Sequence, residues 1–165
     1  MEEFVQLNKD DILRIGIKTC DGEIIKDEKG KDIFLEFDMA DIELPLKLNN
    51  CESEHRKNVN YVKMQMQVID KKEDKKGKFI LSSNEEEKIK LIKEFYLREM
   101  GALDLFLGEG GTRKLLNGRN PYWDMYDDIS KIIEPILPLL KQSLDNVGNR
   151  VKEKYKIKEE NNILK

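Results

Sequence analysis

The sequence predicts an α+β, mainly α fold. An N-terminal antiparallel β-hairpin packs on a long antiparallel helical hairpin, followed by a short helix and a proline-kinked C-terminal helix. Three observations carry this prediction. Apolar and polar residues alternate over two short stretches before Asp38, apolar residues recur every three or four positions over most of the remaining chain, and glycine turns interrupt that pattern between Gly108 and Gly118. At 165 residues the chain is long enough for one core and too short to expect two. Residues 1–155 are therefore read as a single domain and residues 156–165 as a frayed polar tail.

Leu13, Ile15 and Ile17 alternate with Arg14, Gly16 and Lys18, and Ile33, Leu35 and Phe37 alternate with Asp32, Phe34 and Glu36. These are two half-buried strands within residues 11–38. Between them lie two turn signals, Asp21-Gly22 and the polar Asp27 to Gly30, so the connection either bulges or turns twice. We favour one antiparallel hairpin. Two strands alone are marginal in water, so their apolar face must rest on the helices.

After Phe37 the period changes. Asp38-Met39-Ala40-Asp41 is a polar start and Pro45 suits a first helical turn, opening a helix over 44–72. Leu48, Cys51, His55, Val59, Val62, Met66 and Ile69 form its stripe. The charge run from Asp70 to Lys78 reads as an exposed connection. Ser82-Ser83-Asn84 followed by three glutamates starts a second helix over 84–107, with Ile89, Ile92, Phe95, Tyr96, Met100, Leu103 and Phe106 as its stripe. The short link makes the two helices antiparallel neighbours.

Gly108 fits the left-handed position that ends a helix. Gly110-Gly111-Thr112 restarts the chain, with Thr112 as N-cap of a stub over 112–117 that Gly118 stops. Asn120-Pro121 then opens a helix over 121–155. Its stripe runs from Tyr122, Met125 and Ile129 through Ile136 and Leu140 to Leu144, Val147, Val151 and Tyr155. Pro135 and Pro138 either bend this helix or divide it.

Composition excludes several classes of function. Lys+Arg 30 against Asp+Glu 33 leaves a formal net charge of -3, without the basic excess of a nucleic-acid binder. No apolar run approaches the ~20 residues of a membrane span, and Met1-Glu2-Glu3 has the wrong charge for a signal peptide, so a cytosolic protein is expected. Cys20 and Cys51 make no disulfide framework. A mean hydropathy of -0.65 suits a helical protein with much solvated surface.

Candidate sites are few. Cys51 and His55, joined by Cys20, would give three zinc ligands, but both helical residues fall on the apolar stripe, where packing is the better account. Gly108 to Lys114 resembles a phosphate loop only in its glycines, since it follows a helix and lacks a Lys-Ser or Lys-Thr pair. Asp124, Asp127, Asp128 and Glu134 suit a solvated helix start as well as a cation. Tyr122 and Trp123 beside Arg119 form a binding hot spot or, for Trp123, part of the core. Pro135-Ile136-Leu137-Pro138 reads as a buried kink rather than a polyproline ligand. With one His and no visible nucleophile and base pair, catalysis has little to stand on.

The order of elements adds a resemblance. A strand hairpin, FDMADIELPLK entering a long helix, and a second helix ending in ALDLFLGEGGTRKLLNGRNPYWDMYDDI resemble the tail assembly chaperones of phages and prophages of Gram-positive hosts. The nearest likeness is Phe106-Leu107-Gly108-Glu109-Gly110 followed by Lys114-Leu115-Leu116-Asn117-Gly118. The chain departs from that pattern in its charged first helix pair and its long tail after Leu140. The resemblance implies a non-enzymatic protein without cofactor or metal, in the cytoplasm of a bacterial host. It would coat the tape-measure protein and keep it soluble until tail tube subunits polymerise, acting as a homo-oligomer and binding neither nucleic acid nor membrane. On this reading Phe106, Leu107, Tyr122, Trp123, Met125 and Tyr126 face the partner. Gly108, Gly110, Gly111, Gly118, Asn120 and Pro121 build the turn. The alternatives are a structural, self-associating helical protein of a phage or mobile element and, further off, a metal- or nucleotide-dependent hydrolase.

Overall fold

The computed structural model describes residues 12–19 and 21–155. Strands β1 (Ile12–Gly16) and β2 (Phe34–Asp38) pair antiparallel, with Leu13 opposite Phe37 and Ile15 opposite Leu35. These cross-strand pairs form the apolar face that the alternation predicts. The two strands form the one antiparallel hairpin expected, and of the two connections its turn signals allow, the chain turns twice. Bridges at Lys18/Ile24 and Lys26/Asp32 hold a middle segment between the strand ends. The N–H of Ile25 donates to Ile17 O at 2.9 Å, and Ile25 O accepts from the N–H of Ile33 at 2.8 Å. The physical reason is that Ile25 is buried, while Asp27 Oδ1 closes the second turn by accepting from the amides of Lys29 and Lys31.

Helices α1 (Leu44–Asp70) and α2 (Ser83–Leu107) form the antiparallel pair. Pro45 sits in the first turn of α1. At the start of α2, Ser82 Oγ accepts from the Glu85 amide, and Glu85 Oε2 accepts from the Ser82 amide at 2.7 Å, a reciprocal capping box. Asn84 is buried because its side-chain amide donates to Ile69 O and Lys72 O, at and just beyond the end of α1. One residue thus satisfies carbonyls that the end of α1 leaves open. The buried face of α2 runs through Leu91, Phe95, Met100, Leu103 and Phe106; Ile89, assigned to it from spacing, is exposed.

The glycine region differs in detail from its sequence reading. Helix α3 spans Gly111–Leu116, with Gly110 rather than Thr112 at the N-cap position. Thr112 lies inside the first turn, fully buried, and its hydroxyl donates to Asp104 Oδ1 at 2.6 Å. Gly108 has the expected positive φ, 88°, but an extended ψ of 165°, outside the left-handed helical region. Asn117, at φ 46° and ψ 53°, ends α3, and Gly118 follows it. Gly111 permits a close approach: a Cβ there would lie 2.5 Å from Leu107 Cβ.

Asn120 and Pro121 do not open a helix, which corrects the 121–155 span. The next helix, α4 (Met125–Ile133), begins after a turn in which the Met125 amide donates to Tyr122 O. A single 3₁₀ turn over Glu134–Ile136 separates α4 from α5 (Leu137–Tyr155). Pro135 and Pro138 lack the N–H groups of a continuous α ladder, so the chain tightens there while remaining right-handed helical. Ile136 is buried at this kink, and the expected stripe leaves the core after Leu140, since Leu144, Val151 and Tyr155 are exposed.

The core has two parts. The larger joins Leu35 and Phe37 of β2 to Cys51, Leu103, Phe106, Met125, Ile129 and Ile136, with the rings of Phe37 and Phe106 stacked at 5.0 Å. The smaller, Val62, Ile69, Leu91 and Phe95, lies between α1 and α2. Among the described residues no helix is long and apolar enough to cross a membrane.

Candidate partner-binding groove

The first turns of α1 run beside α4 and the start of α5, leaving an open groove of about 420 Å³. Its apolar lining includes Leu48, Cys51, Leu103, Tyr126, Ile133 and Leu137. Leu103 lies at the crossing of α2 with this group and is completely buried, so the groove has a rigid base. Glu52 and Glu134 also line it, and no basic side chain does. A smaller hollow of about 270 Å³ lies between the hairpin and α3–α4, with Arg119 and Tyr122 in its wall.

A polar network stiffens the groove wall. Tyr126 donates its hydroxyl to Glu52 Oε2 at 2.8 Å, and its ring stacks on His55 with centroids 3.5 Å apart and planes 8° from parallel. His55 Nδ1 donates to Glu99 Oε2 at 2.6 Å, while Asn58 donates to Glu99 Oε1 at 2.9 Å. Glu99 is only 2% exposed, so these two donors are what make its burial tolerable. The hydrogen bond from Tyr126, then that from Arg56, holds the Glu52 carboxyl below its usual range. Burial, reinforced by Glu52, pushes the Tyr126 phenol far up. Burial pushes the Cys51 thiol up to about 11, so it stays protonated at neutral pH and lacks the thiolate a nucleophile needs. The chemistry on offer is apolar burial with oriented hydrogen bonds.

The other sequence candidates resolve individually. Backbone amides of the glycine turn that would face an anion are taken by the chain itself: Asp104 accepts from the amides of Gly110 at 3.2 Å and Thr112 at 2.8 Å. Among the described residues no group of three or more His, Cys, Asp and Glu side chains is placed to hold a metal ion, and Cys20 lies outside the described residues. Asp128 is engaged by Lys131 and by the Tyr122 hydroxyl rather than converging with Asp124 and Asp127.

Of the six residues assigned to a partner surface, Phe106 and Met125 are core side chains and cannot face a partner. Leu107 and Tyr126 are partly buried against that core. Tyr122 and Trp123 are exposed, Trp123 at 63%, with its ring 5.7 Å from Phe95. Trp123 is therefore no core residue. Sequence reasoning missed Asn58, Glu99, Glu52 and Leu137. The signal for the first two was present: Asn58 stands seven after Cys51, and Glu99 four after Phe95 and four before Leu103, which places both polar side chains on buried stripes.

Set against protein-family models, curated proteins and solved structures, the chain matches none of them.

Proposed function

We propose that this protein is a non-enzymatic helix-binding chaperone of the phage tail assembly type, working in the cytoplasm of a bacterial host. Its client is the tape-measure protein, with the tail tube protein as a second partner. One observation supports this reading above the others: an open apolar groove with the buried Leu103 at its base and acidic residues along its edge. Such a surface accepts the apolar face of an amphipathic helix, whose anchors recur at every third or fourth residue. The exposed Trp123 beside Phe95 adds a second aromatic anchor of the kind that dominates binding energy.

The test is co-expression with the tape-measure protein of the same gene cluster. Leu137→Lys and Trp123→Ala change exposed side chains, so the fold should survive while recovery of soluble client falls. Phe106→Ala would instead remove a core ring and report on stability. A client that is equally soluble with and without this protein would remove the chaperone role.

A further inference from the structure

The connection between α1 and α2 carries the most exposed apolar side chains among the described residues: Phe79 is 93% and Ile80 92% exposed. This projection is built. Its base is closed by Lys75 and Ser83, whose backbones bond at 2.8 Å while the Lys75 amide donates to Ser83 Oγ at 2.9 Å. Asp74 Oδ1 accepts from the Asn84 amide at 3.0 Å. Within it Gly77 packs so tightly on the chain that a Cβ would lie 1.7 Å from Leu81 O. A folded loop thus holds two large apolar side chains out in water, an unfavourable arrangement without an occupant on the other side.

The loop is also basic. Lys71, Lys75, Lys76 and Lys78 stand against Glu73, while Asp74 is committed to the base and Lys72 to Glu87 of α2. The groove between α1 and α4 is its complement in both respects, being apolar within and edged by Glu134 and by Glu52, whose carboxylate already takes Arg56 and the Tyr126 hydroxyl. The two cannot meet within one molecule. They lie toward opposite ends of α1, and at about 1.5 Å per residue Cys51 and Asp70 are roughly 28 Å apart along a rigid helix.

We propose that the Phe79-Ile80 tip of one copy seats in the groove of a second copy, with Lys76 and Lys78 facing the groove edge at Glu134. The contact joins two different surfaces: made once per pair it is head-to-tail and propagates into rings or filaments, and made reciprocally it closes a two-fold dimer. It rests on the reading of the groove as a binding surface, and it makes the tip a competitor that a client helix must displace.

Complementation between two variants tests this. Phe79→Ser with Ile80→Ser removes the tip and leaves the groove; Leu137→Lys obstructs the groove and leaves the tip. By sedimentation velocity the unmodified chain should show concentration-dependent association that weakens with salt, and each variant alone should be monomeric. An equimolar mixture of the two should give a 1:1 heterodimer, since one intact tip meets one intact groove. An unmodified chain that stays monomeric, a tip variant that associates as before, or a mixture without heterodimer would each overturn the proposal. So would a monomeric chain that binds anionic lipid vesicles through Phe79 and Ile80. The tip variant separates this inference from the chaperone reading, because its intact groove should still recover soluble client. If it recovers client while associating normally, only the tip contact is refuted.

Discussion

Tyr126 shows how a single side chain can serve the core and the groove together. Its ring covers His55, its hydroxyl fixes Glu52, and its position on α4 ties that helix to α1. Glu52 has its carboxyl pKa lowered in the fold, so its contribution is present above the ordinary value of 4.5 and is lost as pH falls through the lower folded value. Tyr126→Phe keeps the stacking and removes the bond. Stability at pH 7 should therefore fall by about 1 kcal/mol, modest because Glu52 is partly exposed. Urea midpoints at pH 7 and pH 3 check the sign, since the gap between the two proteins should narrow at the lower pH. An unchanged gap would mean that Glu52 is not the partner that matters.

At the scale of elements, the fold depends on how helices are ended and restarted. Asp104, in the last turn of α2, accepts from two amides of the glycine turn and from the Thr112 hydroxyl, so α2 caps α3 directly. Gly108 makes the reversal possible. At φ 88° and ψ 165° it occupies a region open essentially to glycine alone, and the space around it is empty, so the penalty for a side chain comes from its own backbone. Gly108→Val should cost about 1–3 kcal/mol, read as a lowered melting temperature with helical content retained. The positive φ was legible from a glycine directly after an apolar helix face. The extended ψ was not, because it follows from where Asp104 draws the next amides.

Over the whole molecule, the chain divides into a broad core and a slender arm. The hairpin, α3, α4, α5 and the adjoining ends of α1 and α2 bury residues from many directions. The distal halves of α1 and α2 share a smaller cluster, with Val62, Ile69, Leu91 and Phe95 buried and Val59, Tyr61, Met66 and Tyr96 partly so, and the Glu99 network lies between the two clusters. Met64, Val68, Ile89 and Leu97 stay exposed along that arm. Amides near Val62 and Leu91 should therefore exchange with solvent through local opening, ahead of those near Leu103 and Ile129. Hydrogen exchange read by mass spectrometry checks this, and uniform protection along α1 would show that the arm and core open as one unit.

By itself the sequence determined the fold class, both long helices to within two residues of their ends, the α3 stub and the placement of the strands. It could do so because helix and strand periods, capping residues and glycines act over a few neighbouring positions. It misplaced the start of α4 because Asn120-Pro121 carries a local start signal that the turn through Tyr122 overrides. Only the tertiary structure decided which side of each apolar stripe is covered. Phe106 and Met125 became core while Trp123, Phe79 and Ile80 were left in solvent. Burial depends on which elements meet across the chain, and identical local patterns serve a core and an interface equally well.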